Sequence, residues 1–180
     1  MNPLLLDIPL QIETERLLLR APRQSGDGTI VNDAIKESFN ELKAWLPFAQ
    51  TLPTVEETEV NLREAYINFF KRDSLRFLIF HKDTNDFIGV TSFEGLNWDI
   101  PKSHIGYWIN TRFMGNGYML EAVKGLCELG LNHINFKRVE ISSFARSSFS
   151  YLFLDNSSIK ESEVTCIFLC AIVEIPQQIL

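Results

Sequence analysis

The chain predicts an α/β fold, with helices packed on a mixed sheet, and three stretches carry that prediction. Ser103 to Asn110 (SHIGYWIN) is rich in β-branched and aromatic residues, and the loop Arg112-Phe113-Met114-Gly115-Asn116-Gly117 follows it. Met119, Ala122, Val123, Leu126 and His133 then recur at helical spacing, so the two glycines sit on a strand-to-helix junction. Leu75 to Phe80 and Phe87 to Phe93 are apolar strands separated by Asp83-Thr84-Asn85-Asp86, the composition of a hairpin turn. Lys137 to Ser142 is a strand that returns parallel after the helix.

The other elements follow in order. Residues 1–10 (MNPLLLDIPL) form an N-terminal tail: the run is apolar, but Asp7 and two prolines break it and no basic segment opens it. Gln11 to Arg20 alternates and ends in Leu17-Leu18-Leu19, as expected of a first strand buried on both faces near its end. After a loop and cap at Ser25-Gly26-Asp27-Gly28, the residues Ile30, Val31, Ala34, Ile35, Phe39 and Leu42 trace one helical stripe, closed by Trp45-Leu46-Pro47-Phe48. Thr54 and Glu57 have the spacing of a capping box, and Val55, Leu62, Ala65, Tyr66 and Phe69 carry that helix to about Arg72. The glycine-loop helix is expected over Tyr118 to His133, with Glu121, Lys124 and Glu128 on its wet side.

Composition bounds the function. With 180 residues, 46% hydrophobic and 22% charged, the chain suits one domain spanning 1–180, large enough for its own core. Cys127, Cys166 and Cys170 lack metal-ligand spacing and the three histidines lie far apart, so neither a metal site nor a disulfide framework is expected and the chain fits the reducing cytoplasm. The opening run is too short to span a bilayer, and no membrane partner is expected. A net charge of −6 speaks against bulk nucleic-acid binding and is compatible with a cationic amine as partner. Oligomeric state stays open, a homodimer included.

The loop suggests chemistry. The first amides of a helix lack partners within it and, with the helix dipole, attract an anionic oxygen; Gly115 and Gly117 let a phosphate approach them. A G-x-G pair also fits a plain tight turn, and the loop lacks the Lys-Ser/Thr ending of an ATP-binding P-loop.

Arg-x-x-Gly-x-Gly opening a helix directly after a strand resembles the acyl-CoA pyrophosphate loop of the GCN5-related N-acetyltransferases (GNAT). Glu13 to Arg20 (ETERLLLR), Ile88-Gly89, Ile105-Gly106-Tyr107-Trp108-Ile109, Gly117-Tyr118-Met119 with Glu121-Ala122-Val123, and Arg138-Val139-Glu140-Ile141 stand in the order of that superfamily's RimJ/RimL branch, over roughly residues 11–146. The resemblance implies a mixed, mostly antiparallel central sheet flanked by helices, with two strands splayed around the cofactor. It implies acetyl-CoA as acyl donor and transfer of its acetyl group to a primary amine, on a protein N-terminus or a small molecule. The alternative is a degenerate, non-catalytic acyl-CoA-binding domain.

Residue by residue, the resemblance assigns the cofactor to the backbone of Ile109, Asn110 and Thr111, to Arg112, and to the amides of Met114, Gly115, Asn116, Gly117, Tyr118 and Met119. Relatives commonly carry a glutamate base where His104 stands. An imidazole there could accept the amine's proton, or be a strand residue with one satisfied nitrogen; Glu94 is the second candidate, with a solvated turn carboxylate as its ordinary alternative. Relatives often have Lys at Asn116, and one wall of their acceptor site comes from the region of Trp45 and Phe48, two aromatics that fit plain core packing equally. After Ile141 the chain departs from the family: Ser142 to Ser158 is Ser/Phe-rich, the divergent 143–180 segment lacks the expected last crossover helix, and Glu163 to Phe168 resembles the terminal strand arriving early.

Overall fold

A seven-stranded sheet in the order β1-β2-β3-β4-β5-β6-β7 organises the chain, and its first four pairings are antiparallel, its last two parallel. The structure is a computed structural model and describes residues 2–45, 51–141 and 164–165. Leu46 to Phe48 and nearly all of the 143–180 segment, including Cys166 and Cys170, lie outside these, as does the expected crossover region. The strands are β1 (Gln11–Glu13), β2 (Leu17–Arg20), β3 (Leu75–His81), β4 (Phe87–Asn97), β5 (Lys102–Ile109), β6 (Arg138–Ile141) and β7 (Val164–Thr165). The helices are α1 (Gly28–Glu37), α2 (Phe39–Trp45), α3 (Val55–Lys71) and α4 (Tyr118–Glu128).

Three local expectations change. The run Gln11 to Arg20 is a hairpin: the Thr14 hydroxyl accepts from the Leu17 amide (3.2 Å) and the Thr14 amide donates to the Leu17 carbonyl (2.9 Å), which turns the chain between β1 and β2. The stripe from Ile30 to Leu42 is two helices divided at Ser38, whose hydroxyl donates to Asn110 Oδ1 and accepts from the Thr111 amide. The helix after the glycine loop ends at Glu128; Leu129–His133 forms a wider turn closed by the Ile134 amide on the Leu129 carbonyl (3.0 Å), and His133 is exposed.

Alternation along the strands builds a core on each face of the sheet. On one, Leu17, Leu19, Phe77, Ile79, Phe93 and Ile105 pack under Met119, Ala122, Val123 and Leu126 of α4. On the other, Leu78, Phe80, Phe87 and Val90 meet Val31 and Ala34 of α1 and Leu62 of α3. The capping box forms as expected, with the Thr54 hydroxyl accepting from the Glu57 amide and the Glu57 carboxylate from the Thr54 amide. Asp27 precedes α1 but caps nothing: its carboxylate takes two bonds from Arg20 (2.6 and 2.9 Å) and one from the Arg23 amide (2.8 Å). No helix among the described residues is long and apolar enough to cross a membrane.

Candidate functional site

Strand β5 connects the two halves of the site. Its first residues pair with β6 from Lys102↔Arg138 to Ile105↔Ile141, whereas Gly106 to Ile109 pair only with β4 among the described residues. Among the described residues, then, no strand pairs with the β6-side edge of β5 beyond Ile105.

At the end of β5 the chain makes a short helical turn over Thr111–Phe113 and then the glycine loop. Gly115 (φ 81°) and Gly117 (φ 76°) both have left-handed backbones, and Gly117 caps α4 without a side-chain bond. Among the described residues no acceptor meets the amides of Gly115, Asn116, Gly117, Tyr118 or Met119. A Cβ at Gly115 would have nothing within 4 Å, so the demand for glycine there comes from φ and from whatever occupies that open space. The Met114 amide differs, since it donates to the Thr111 carbonyl (3.2 Å).

The expected backbone contacts before the loop are partly engaged. The Asn110 amide donates to the Ile88 carbonyl and the Thr111 amide to Ser38 Oγ. The Asn110 side chain is buried: Nδ2 donates to Glu37, and Oδ1 accepts from the Arg112 amide. Asn110 thus holds the strand-to-loop turn against the C-terminal end of α1. Ile109, partly buried at the end of β5, packs against the α4-side core. Arg112 is exposed, its guanidinium 5.3 Å from the Phe113 ring centre.

One cation at the loop escaped the sequence reading. Arg16, in the β1–β2 turn, donates Nη1 to the Asn116 carbonyl (3.1 Å), sits 4.6 Å over the Tyr118 ring and lies where a Cβ on Gly117 would meet Nη2 at 3.6 Å. Glu121, expected on the wet side of α4, is instead mostly covered and holds Arg16 in place. It accepts from Arg16 Nε (2.7 Å), the Arg16 amide (2.7 Å) and the Thr14 hydroxyl (2.6 Å). Burial works to raise the Glu121 pKa, but these hydrogen bonds and the arginine charge outweigh it and leave it below its ordinary value. The only signal for this pairing was the adjacency of both residues to family-like motifs, because they stand 105 positions apart.

At the other end of β5 the register sets Glu94 of β4, His104 of β5 and Glu140 of β6 side by side on the α1–α3 face. Glu94 is no solvated turn carboxylate. It lies within β4, and its Oε1 is buried without a hydrogen-bond partner among the described residues. Desolvation pushes its pKa up, against the lowering effects of a Ser92 hydrogen bond and the Arg76 charge. His104 has a half-exposed side chain and a Nδ1 that lies 3.1 Å from Glu140 Oε2. Trp45, the end of α2, and Phe48 give no described side-chain geometry, so the expected acceptor wall stays an expectation.

The family model for the acetyltransferase (GNAT) domain matches residues 16–147, most of the chain. The chain belongs to the GNAT acetyltransferases. This GNAT domain is also 32% identical over 65 residues to a Bacillus licheniformis protein named uncharacterized N-acetyltransferase p20, a match spanning 36% of each protein, so it covers about a third of that relative. Its fold is shared with a ribosomal-protein-S5-alanine acetyltransferase from Vibrio fischeri (TM-score 0.71, 18% identity, 81% of this chain and 80% of that one). It is shared as well with the microcin C7 self-immunity acetyltransferase MccE, whose structure contains acetyl-CoA and AMP (TM-score 0.70, 18% identity, 81% and 79% covered). The mixed, largely antiparallel sheet implied by the sequence motifs is thus the one found, and the GNAT domain places its glycine loop at the head of α4.

Proposed function

We propose that this GNAT domain transfers the acetyl group of acetyl-CoA to a primary amine, either a protein N-terminus or a small-molecule amine. The observation that carries the proposal is the row of amides from Gly115 to Met119 that meet no acceptor among the described residues, set at the end of the strand whose other end bears His104. The pyrophosphate of the donor binds those amides, with the α4 dipole and the nearby Arg16 and Arg112 guanidiniums adding positive potential. Arg16 supplies the cation that Asn116 does not.

Distances along the chain suit the donor. From the phosphate to the sulfur, a pantetheine arm is about as long as four to five extended residues. Laid as an added strand beside the later half of β5, it reaches from the loop back to the neighbourhood of Ile105 and Gly106. The thioester then lies next to His104. A primary ammonium must lose a proton before it attacks, and His104 takes that proton, with the desolvated Glu94 carboxylate beside it as the second acceptor. The amine nitrogen then bonds to the acetyl carbon, the C–S bond breaks, and the departing thiolate takes up the amine's remaining surplus proton.

Titration with acetyl-CoA, followed by thiol release over a panel of small amines and of peptides with N-terminal Ser or Ala, tests this. Saturable binding with amine-dependent thiol release is expected. Binding without release from any acceptor would favour the non-catalytic acyl-CoA-binding alternative, and no binding would overturn both.

A further inference from the structure

Glu140 and its neighbours supply what an imidazole at position 104 needs in order to act as a base. Neutral histidine has one protonated and one bare nitrogen, and the partner of the first decides which nitrogen is bare. Here Glu140 Oε2 stands 3.1 Å from His104 Nδ1, while Arg138 Nε forms an ion pair with Glu140 Oε1 at 2.7 Å. Glu140 itself is only 8% exposed, and the parallel register pins it directly beside His104. Its carboxylate is therefore anchored on one oxygen by an arginine and presents the other to the ring. An acceptor at Nδ1 fixes the proton there and leaves Nε2 bare.

Space is kept on that bare edge. Gly95, at φ 58°, follows Glu94 in β4, and a Cβ there would come within 3.1 Å of His104 Cδ2 and 3.8 Å of Nε2. The groups around the ring are Glu94 and Gly95 from β4, Lys102 from β5, and Arg138 and Glu140 from β6, and the only described carboxylate within ion-pair distance of the imidazole is that of Glu140.

We propose that Glu140, oriented by Arg138, is the positioning residue that holds His104 as the Nδ1-protonated tautomer, with Nε2 as the atom that receives the acceptor amine's proton. This rests on the acetyl-transfer reading for its catalytic consequence, although the tautomer does not. The proton moves from the substrate ammonium to Nε2, giving an imidazolium whose Nδ1–H faces the Glu140 carboxylate. His104 later releases that proton to solvent, and no other reactant is needed.

The test is nitrogen NMR on protein labelled with 15N-histidine, recorded where the imidazoles are neutral. The chain has three histidines, so a His104→Gln variant assigns the signal. The wild-type protein is expected to show His104 protonated at Nδ1 and bare at Nε2. In Glu140→Gln, Arg138 claims the amide oxygen and turns the amide NH2 toward the ring, so the tautomer should reverse. Amine-dependent kcat should then fall at least about tenfold, part of the ~10²–10⁴ that a positioned base contributes, with the acetyl-CoA dissociation constant unchanged. A wild-type His104 carrying its proton on Nε2, or a tautomer indifferent to Glu140→Gln, overturns the proposal. Absence of thiol release from the wild-type protein would instead sink the acetyl-transfer reading, and the NMR result would still decide the role of Glu140.

Discussion

Single residues here do work that their neighbours in sequence do not reveal. Gly115 and Gly117 could be read from the sequence because a strand-loop-helix junction is local, and both have positive φ. Valine at either position should abolish acetyl-CoA binding by calorimetry while the far-ultraviolet circular dichroism stays unchanged, because a β-branched residue resists that backbone and fills the open space. Arg16 was beyond local reading, since its partner Glu121 is brought to it only by the packing of α4 on β2. Arg16→Met should weaken acetyl-CoA binding on the order of tenfold, roughly one charge-assisted hydrogen bond, and flatten the dependence of affinity on salt; equal salt dependence in both proteins would assign Arg16 to structure alone. Asp27 makes a different prediction. Burial tends to raise its pKa, but the bonds from Arg20 and the Arg23 amide together with their charges prevail and set it below 3.8. A depressed folded value means stability that is present above the unfolded pKa and lost as pH falls through the folded one. Asp27→Asn should therefore cost about 3 kcal/mol at neutral pH, as expected when a buried pair is broken, and the gap between variant and wild type in urea melts should narrow below about pH 4.

At the scale of elements, signals confined to a few residues were dependable and those that depend on partners were not. Thr54 and Glu57 announce the start of α3, and the cap is present in both directions. Thr54→Ala should lower stability by about 1 kcal/mol in a denaturant melt, with m unchanged. By contrast, the sequence from Gln11 to Arg20 predicts one strand where the β1–β2 hairpin stands, because no glycine or proline marks the turn before Leu17-Leu18-Leu19, and a threonine hydroxyl makes that turn instead. The helical stripe from Ile30 to Leu42 concealed the break at Ser38, whose hydroxyl is committed to the strand-to-loop turn at Asn110 and Thr111. The triad Glu94, His104 and Glu140 follows from registers between three strands, one antiparallel and one parallel pairing, which no periodicity within a strand encodes.

The molecule as a whole is read most easily at the middle of its sheet and least easily where distant parts of the chain meet. The order of motifs identified the family and hence the sheet, while the site is assembled from the β1–β2 turn, the ends of β5, the start of α4 and the face of β6. Such an assembly explains why residue types alone nominated His104 and Glu94 but gave no account of what orients them. The Arg16–Glu121 contact also joins the earliest part of the chain to be synthesised with one made much later. A ribosome releases Arg16 early, yet its carboxylate partner emerges 105 residues later, a wait of about 5–20 s at ordinary rates of synthesis. Throughout that interval the first hairpin is without the helix that clamps it, so the nascent chain cannot build the glycine loop in its final form before Glu121 has left the exit tunnel.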